Sequence, residues 1–236
     1  MADLGFDGWE VVNEGNQRLD ISLPVVRELA ETADIGFTVH GPYSDLNPAS
    51  VNQPMWRETV RQLSRTAEQA AEFTDLVVVH PGNLSPLGYQ MPDIAWRQHV
   101  ECLREACDAA ADLGVTFALE NMINLERLLC RTPGELFGLT GEVDRPNMGT
   151  CLDVGHANHV GNLPEFLERA PEYTHIHIHD NDGVWDQHLP LGMGMVDWKV
   201  VFSALHGFRG RVVIEARSLE EGVESLKFAR KLTGYP

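Results

Sequence analysis

The sequence predicts an α/β fold: a parallel barrel of seven strands alternating with helices, in which the strand that should open the barrel is missing. Three observations predict it. Strand-like and helix-like segments alternate along all 236 residues without a long linker, repeat or low-complexity stretch, and that length suits one domain spanning 1–236. Five apolar runs end abruptly on a metal-ligand residue type: Phe37-Thr38-Val39-His40, Leu76-Val77-Val78-Val79-His80, Val115 to Glu120, Met148 to Asp153, and Val212-Val213-Ile214-Glu215. A sixth, Tyr173 to Asp180, carries histidines within the run itself. Buried strands seldom finish on charged or imidazole groups, because desolvating them is costly unless something compensates.

The elements follow in order. Strands are expected at 8–12, 36–40, 76–80, 115–120, 148–153, 174–179 and 212–216, and helices at 22–33, 53–72, 92–112, 133–140, 163–170, 197–206 and 218–232. Ser218 with Glu221, and Thr132-Pro133 with Glu135, have the spacing of a capping box. Gly36, Gly114 and Gly207 fall where helices should stop. Strand–helix units repeated this often close most economically as a TIM-type (β/α) barrel. The stretch Met1 to Gly8 reads as the end of a helix leading into Trp9-Glu10-Val11-Val12. A first strand is therefore expected to be absent, with the gap between the Trp9 and Glu215 strands. An open sheet edge invites association, so a homodimer is expected.

Composition narrows the function classes. No apolar run reaches the ~18 residues that span a bilayer, and the first ten residues read as domain rather than signal peptide. The four cysteines, Cys102, Cys107, Cys130 and Cys151, are scattered without CxxC spacing, as in buried free thiols of a reducing compartment. A cytoplasmic protein without membrane contact is the expectation. Thirty-five acidic against 18 basic residues give a net charge of −17, and only Lys199, Lys227 and Lys231 are lysines. Such a lysine-poor acidic surface suits a salt-loving, halophilic setting, and it argues against nucleic acid as a partner.

Chemistry concentrates at the strand ends. In Asp153-Val154-Gly155-His156 the carboxylate ends its strand and the imidazole follows three residues later, so both can face one cation; an Asp-capped turn with an incidental histidine fits the same short pattern. Alternation puts His175, His177 and His179 on one strand face, and register decides whether His177 or His179 serves as a ligand. Asp186 and His188, two apart in the following loop, can clamp a further ion. His40-Gly41-Pro42-Tyr43 and His80-Pro81-Gly82-Asn83 each hold a strand-end histidine in a stiff turn. Tyr43 is placed to touch a substrate or to pack at the rim. Glu120-Asn121 and Glu215 end apolar strands, where a bridging or acid/base role explains the carboxylates better than a salt bridge such as Glu215 to Arg217. Asp45 and Asn47 suit substrate hydrogen bonds or turn capping equally.

With these residues in hand, the chain resembles the xylose isomerase-like TIM-barrel superfamily, which holds sugar-phosphate isomerases/epimerases and the endonuclease IV family of DNA-repair enzymes. The resemblance runs from Gly5-Phe6-Asp7-Gly8-Trp9-Glu10 to Val213-Ile214-Glu215. In the ketose 3-epimerase branch one divalent ion is held by positions matching Glu120, Asp153, His177 and Glu215. The two glutamates there move the proton, and the position of His156 contacts substrate. In the endonuclease IV branch three zinc ions are held by positions matching His40, His80, Glu120, Asp153, His156, His177, Asp186, His188 and Glu215, and none of the nine is missing here. Two departures stand out. The arginine that epimerases carry after the metal histidine is absent, the loop having Gly183, and the long basic DNA-inserting loops are absent too, Asn16-Gln17-Arg18 being only a faint echo of one.

The resemblance implies a metal-dependent isomerase/epimerase acting on a sugar or sugar phosphate through an enediolate, with Glu120, Glu215 and His156 catalytic and Tyr43, Asn121 and His179 against the substrate. Its alternative is an endonuclease IV-like phosphoesterase. Histidines beside carboxylates suit one to three Zn2+ or Mn2+ ions better than Mg2+ or Ca2+.

Overall fold

A computed structural model describes residues 2–234, so Met1 and positions 235–236 of the expected domain lie outside the described residues. All seven expected strands form: β1 (Gly8–Val12), β2 (Gly36–His40), β3 (Leu76–Val79), β4 (Thr116–Glu120), β5 (Met148–Asp153), β6 (His175–Ile178) and β7 (Arg211–Ile214). They pair in parallel and in chain order, and no pairing joins β1 to β7 among the described residues. The result is a nearly closed barrel whose gap lies where the sequence places it. A single 3-10 turn, Ala2–Leu4, precedes β1 in place of the expected helix end.

The helices are α1 (Leu19–Thr32), α2 (Gln53–Ala70), α3 (Pro86–Gln90), α4 (Pro92–Ala110), α5 (Pro133–Val143), α6 (Val154–Val160), α7 (Leu163–Leu167), α8 (Trp198–Ala204) and α9 (Leu219–Thr233). Thr132 and Ser218 cap α5 and α9, each accepting from the backbone N–H three residues on. Gly114 and Gly207 take left-handed backbone at φ 71° and 88° where helical segments stop. Gly36 does not act as a stop, because α1 has already ended at Thr32 with extended Ala33, and Gly36 opens β2. The expected helix at 163–170 splits into α7 and a 3-10 turn, Ala170–Glu172, with Pro171 inside that turn. Two short helices, α3 and α6, were not expected. Among the described residues no helix is long and apolar enough to cross a membrane.

Strand alternation sends one set of side chains outward to the helices and the other into the barrel. The outward set, including Val39, Val77, Phe117, Leu119, Leu152 and Ile176, joins the main apolar core beneath the helices. Inside, the apolar layer is small: Leu76, Val78, Ala118 and Cys151. The same inward parity carries buried Thr38, His40, Glu120, Asp153, His175 and His177. A barrel interior this polar has to balance its charge internally, and that requirement defines the site.

Candidate active site

The strands deliver their polar ends to one rim. Glu120, Asp153, His177 and Glu215 each offer one ligand atom, and the four atoms lie within 4.8 Å of one another. His177 Nδ1 stands 3.0 Å from Glu120 Oε1 and 3.1 Å from Glu215 Oε1. A second group under the same spacing is His156, His179, Asp186 and His188, and a third is His40, His80 and Glu120. Glu120 joins the first group to the third, its Oε2 lying 3.1 Å from His80 Nε2 and 3.5 Å from His40 Nε2. His156 joins the first to the second, with Nδ1 3.9 Å from Asp153 Oδ2 and Nε2 3.6 Å from Asp186 Oδ2. The nine candidate ligands thus fall into three adjoining groups. His177 lies in the first group, and His179 lies in the second while its Nε2 also stands 3.2 Å from Asp153 Oδ1 of the first.

The donor set fits divalent cations. Glu120 Oε2, Asp153 Oδ2, both ring nitrogens of His179 and Asp186 Oδ1 are buried without a hydrogen-bond partner. Unpaired buried polar atoms are expensive, and a shared cation satisfies several at once. Burial pushes the Glu120 carboxyl up, yet the imidazoles of His177 and His80 hold it well below the usual range. Burial opposes ionisation at Glu215 as well, but chiefly His177 brings it down to about 2. Burial would lower His177 and His156, yet neighbouring groups raise both well above 6.5: Cys151, Glu10, Glu215 and Glu120 for the former, Asp153, Asp186 and Glu120 for the latter. The imidazoles carry the positive charge that a bound cation would otherwise supply.

Local structure aims these groups. Asp153 is both a member of the first group and the N-cap of α6, its Oδ1 accepting from His156 N at 2.6 Å. His156 therefore sits in the first turn of a helix rather than in a loop turn. Gly155 is required there, since a Cβ would lie 2.1 Å from His179 Cε1. His188 holds left-handed backbone at φ 48°, a strained conformation for a residue with a side chain, and its ring stacks on His179 at 3.8 Å between centroids.

The expected substrate contacts divide. Tyr43 is partly exposed at the mouth and stacks on His80 at 4.6 Å. Asn121 is fully buried and braces β5, donating to Asp153 O and accepting from Asp153 N. Asn47 takes the turn role, its Oδ1 accepting from Ala49 N and Asn83 N. Arg217 pairs with Glu221, which leaves Glu215 to the histidines.

Several supporting residues escaped the sequence reading. Asp180, fully buried, accepts from the backbone N–H of Asn181, Gly192 and Val196 and from Trp198 Nε1, tying down the loop that carries Asp186 and His188. Glu14 accepts from Tyr43 N and Ser44 N and fixes the loop after β2. His99, brought down to about 3 by burial, is neutral and accepts from Gly82 N behind the His80 turn. Glu10, inside β1, reaches His175 and His177 across the barrel. Its only sequence signal was a glutamate interrupting an apolar strand.

A family model described as "Xylose isomerase-like TIM barrel" matches residues 1–232. An uncharacterised protein of Methanocaldococcus jannaschii, MJ1311, is 34% identical over 239 residues, covering 98% of this chain and 82% of its own. A crystal structure of a D-tagatose 3-epimerase-like protein superposes with a TM-score of 0.93 at 34% identity, over 99% of this chain and 91% of that one. The fructoselysine 3-epimerase of Escherichia coli O157:H7 is 22% identical over 231 residues, 91% of this chain and 82% of its own.

Proposed function

The chain belongs to the xylose isomerase-like TIM-barrel family, and we propose that it is a divalent-metal-dependent isomerase or epimerase acting on a sugar or sugar phosphate. The observation that carries the reading is the pair Glu120 and Glu215, set about His177 Nδ1 at 3.0 and 3.1 Å within one four-ligand group. Two carboxylates beside one centre can divide proton removal and return at a substrate carbon between them. The 3-epimerase names of the structural neighbour and the curated relative support the same chemistry.

Glu120, Asp153, His177 and Glu215 would hold a Zn2+ or Mn2+ ion, which supplies polarisation of adjacent carbonyl and hydroxyl oxygens. One glutamate removes the proton on the carbon next to the carbonyl, and the electron pair moves onto the carbonyl oxygen to give an enediolate. The other glutamate, or the same one for an isomerisation, reprotonates carbon as the carbonyl re-forms. His156, within 3.9 Å of Asp153 and 3.6 Å of Asp186, would donate a hydrogen bond to the developing oxyanion. Tyr43 at the mouth presents a face against which a sugar can lie.

The test is solvent deuterium incorporation into a panel of ketoses, aldoses and their phosphates with Mn2+ or Zn2+ present. Exchange at a carbon beside the carbonyl is expected; no exchange across the panel would count decisively against the reading.

A second reading, a phosphoesterase of the endonuclease IV type, is favoured by one observation: all nine ligands of the larger set meet at this rim in three adjoining groups. It predicts cleavage of an abasic-site oligonucleotide with Zn2+ or Mn2+ in high salt, and an uncut oligonucleotide removes it. Ion counting separates the two. A single ion at Glu120, Asp153, His177 and Glu215 supports the isomerase or epimerase, and three ions extending to His40, His80, Asp186 and His188 support hydrolysis.

A further inference from the structure

Below the four-ligand group lies a buried cluster that the proposed chemistry leaves unused. Glu10 projects from β1, Thr38 from β2 and His175 from β6. Glu10 Oε2 accepts from Thr38 Oγ1 at 2.7 Å and faces His175 Nε2 at 3.0 Å. Glu10 Oε1 lies 2.8 Å from His177 Nε2. The Glu10 side chain is only 5% exposed, and both imidazoles are fully buried. The ion-pair partners of Glu10 among the described residues are these two rings.

The two nitrogens of His177 face in different directions. Nδ1 faces Glu120 and Glu215, and Nε2 faces Glu10. An imidazole that gives Nδ1 to a cation carries its one remaining proton on Nε2, and a buried N–H needs an acceptor. Glu10 Oε1 is the carboxylate oxygen beside it. The approach is close but is not aligned as a hydrogen bond. A role for Glu10 as an ion ligand alongside His177 fits less well. Glu10 meets the ring at Nε2, the nitrogen turned away from Glu120 and Glu215, so it does not face an ion held at Nδ1.

We propose that Glu10 is the positioning residue of the metal centre: it holds His177 in the tautomer that ligates through Nδ1, and Thr38 and His175 aim it. This rests on the metal-binding reading above. A carboxylate behind a ligating histidine fixes the ring and strengthens it as a donor, and removing such a partner weakens metal binding about 10–100-fold. Glu10 also lies on the strand that borders the barrel gap and reaches β6 across the interior. The centre is thus complete only when β1 is docked.

The experiment compares the wild-type chain with Glu10→Gln, both stripped with chelator and titrated with Mn2+. Affinity is read by chelator competition, ions per chain are counted, and the ion at Glu120, Asp153, His177 and Glu215 is located by anomalous scattering. The melting temperature of the stripped proteins is measured alongside. The expected result is the same number of ions, with the ion at this group held about 10–100-fold more weakly. Thr38→Val, which removes only the hydroxyl that aims Glu10, is expected to weaken the same ion severalfold, and it decides the matter if Glu10→Gln does not fold. Three results overturn the proposal: unchanged affinity in both variants, a lowered melting temperature with unchanged affinity, or the loss of one whole ion, which would make Glu10 a ligand. A wild-type chain that takes up no ion would instead refute the metal-binding reading itself.

Discussion

Glu120 and Glu215 are matched in geometry but not in surroundings: Glu120 is reached by His40, His80, His156 and His177, whereas Glu215 is reached by His177 and His188. If both move protons, Glu120→Gln and Glu215→Gln should each lower kcat by about 10²–10⁴-fold, read by the rate of deuterium exchange on the active sugar. Loss confined to one of them would mark a one-base isomerisation. The imidazoles make a separate prediction. His177 and His156 are raised above 6.5 despite burial, the former by Cys151 and the carboxylates of Glu10, Glu215 and Glu120 and the latter by Asp153, Asp186 and Glu120, which favours their protonated forms in the ion-free protein. The stability they contribute is complete below the unfolded value near 6.5 and is lost as pH rises through the raised folded values. The depressed carboxylates Glu120 and Glu215 act oppositely, and their contribution is lost as pH falls below about 4.5. A divalent ion displaces the proton from His177 Nδ1, so binding near pH 7 should release protons and tighten as pH rises. Calorimetry in buffers of different ionisation enthalpy measures the release; an enthalpy independent of buffer would contradict it.

At the scale of the element, the junction of β5 and α6 shows what a sequence can and cannot disclose. Asp153 could be read either as a ligand or as the cap of a turn, and the structure makes it the cap of α6 while keeping it within the four-residue group. The helix it caps went unread because Val-Gly-His-Ala-Asn-His-Val is short, starts on a β-branched residue and contains glycine. The strand ends were legible because a charge after an apolar run is a local signal. Asp180 and Glu10 were not, because their meaning lies in partners brought near only by folding: loop backbone for Asp180, the opposite barrel wall for Glu10. The same junction yields a prediction. Gly155→Ala would drive a methyl into His179, so any ion that the wild-type chain takes up at His156, His179, Asp186 and His188 should be lost while one at Glu120, Asp153, His177 and Glu215 is kept. In a wild-type chain that binds more than one ion the count should fall by one, with occupancy at Glu120 unchanged; an unaltered count in such a chain would show that His179 is not needed there.

At the scale of the molecule, the alternation of segments and the gap between first and last strands were both readable, because each strand pairs only with its neighbours in sequence. The charge makes a testable statement of its own. With a net charge of −17 the folded chain repels itself, and raising KCl from about 0.1 M to about 1 M shortens the screening length from about 10 Å to about 3 Å. The melting temperature should rise over that range, and a flat response would remove the salt-adapted reading. At the open edge, β7 leaves Val212 44% exposed, which bears on the expected dimer; sedimentation at varied concentration decides it.

The gap has a further consequence, for the order in which the chain is assembled. Among the described residues strand pairing does not join β1 to β7; side chains bridge the early and late segments, Glu10 to His175 and His177 and Arg230 to Gly5 O. During synthesis His40, His80, Glu120 and Asp153 emerge well before His177 and Glu215. A half-made chain therefore exposes an unfinished set of donors, and β1 has no partner across the barrel until β6 arrives. Ring closure and completion of the proposed ion-binding centre become one late event, so a cation captured at that moment would lock the first strand to the last segments made.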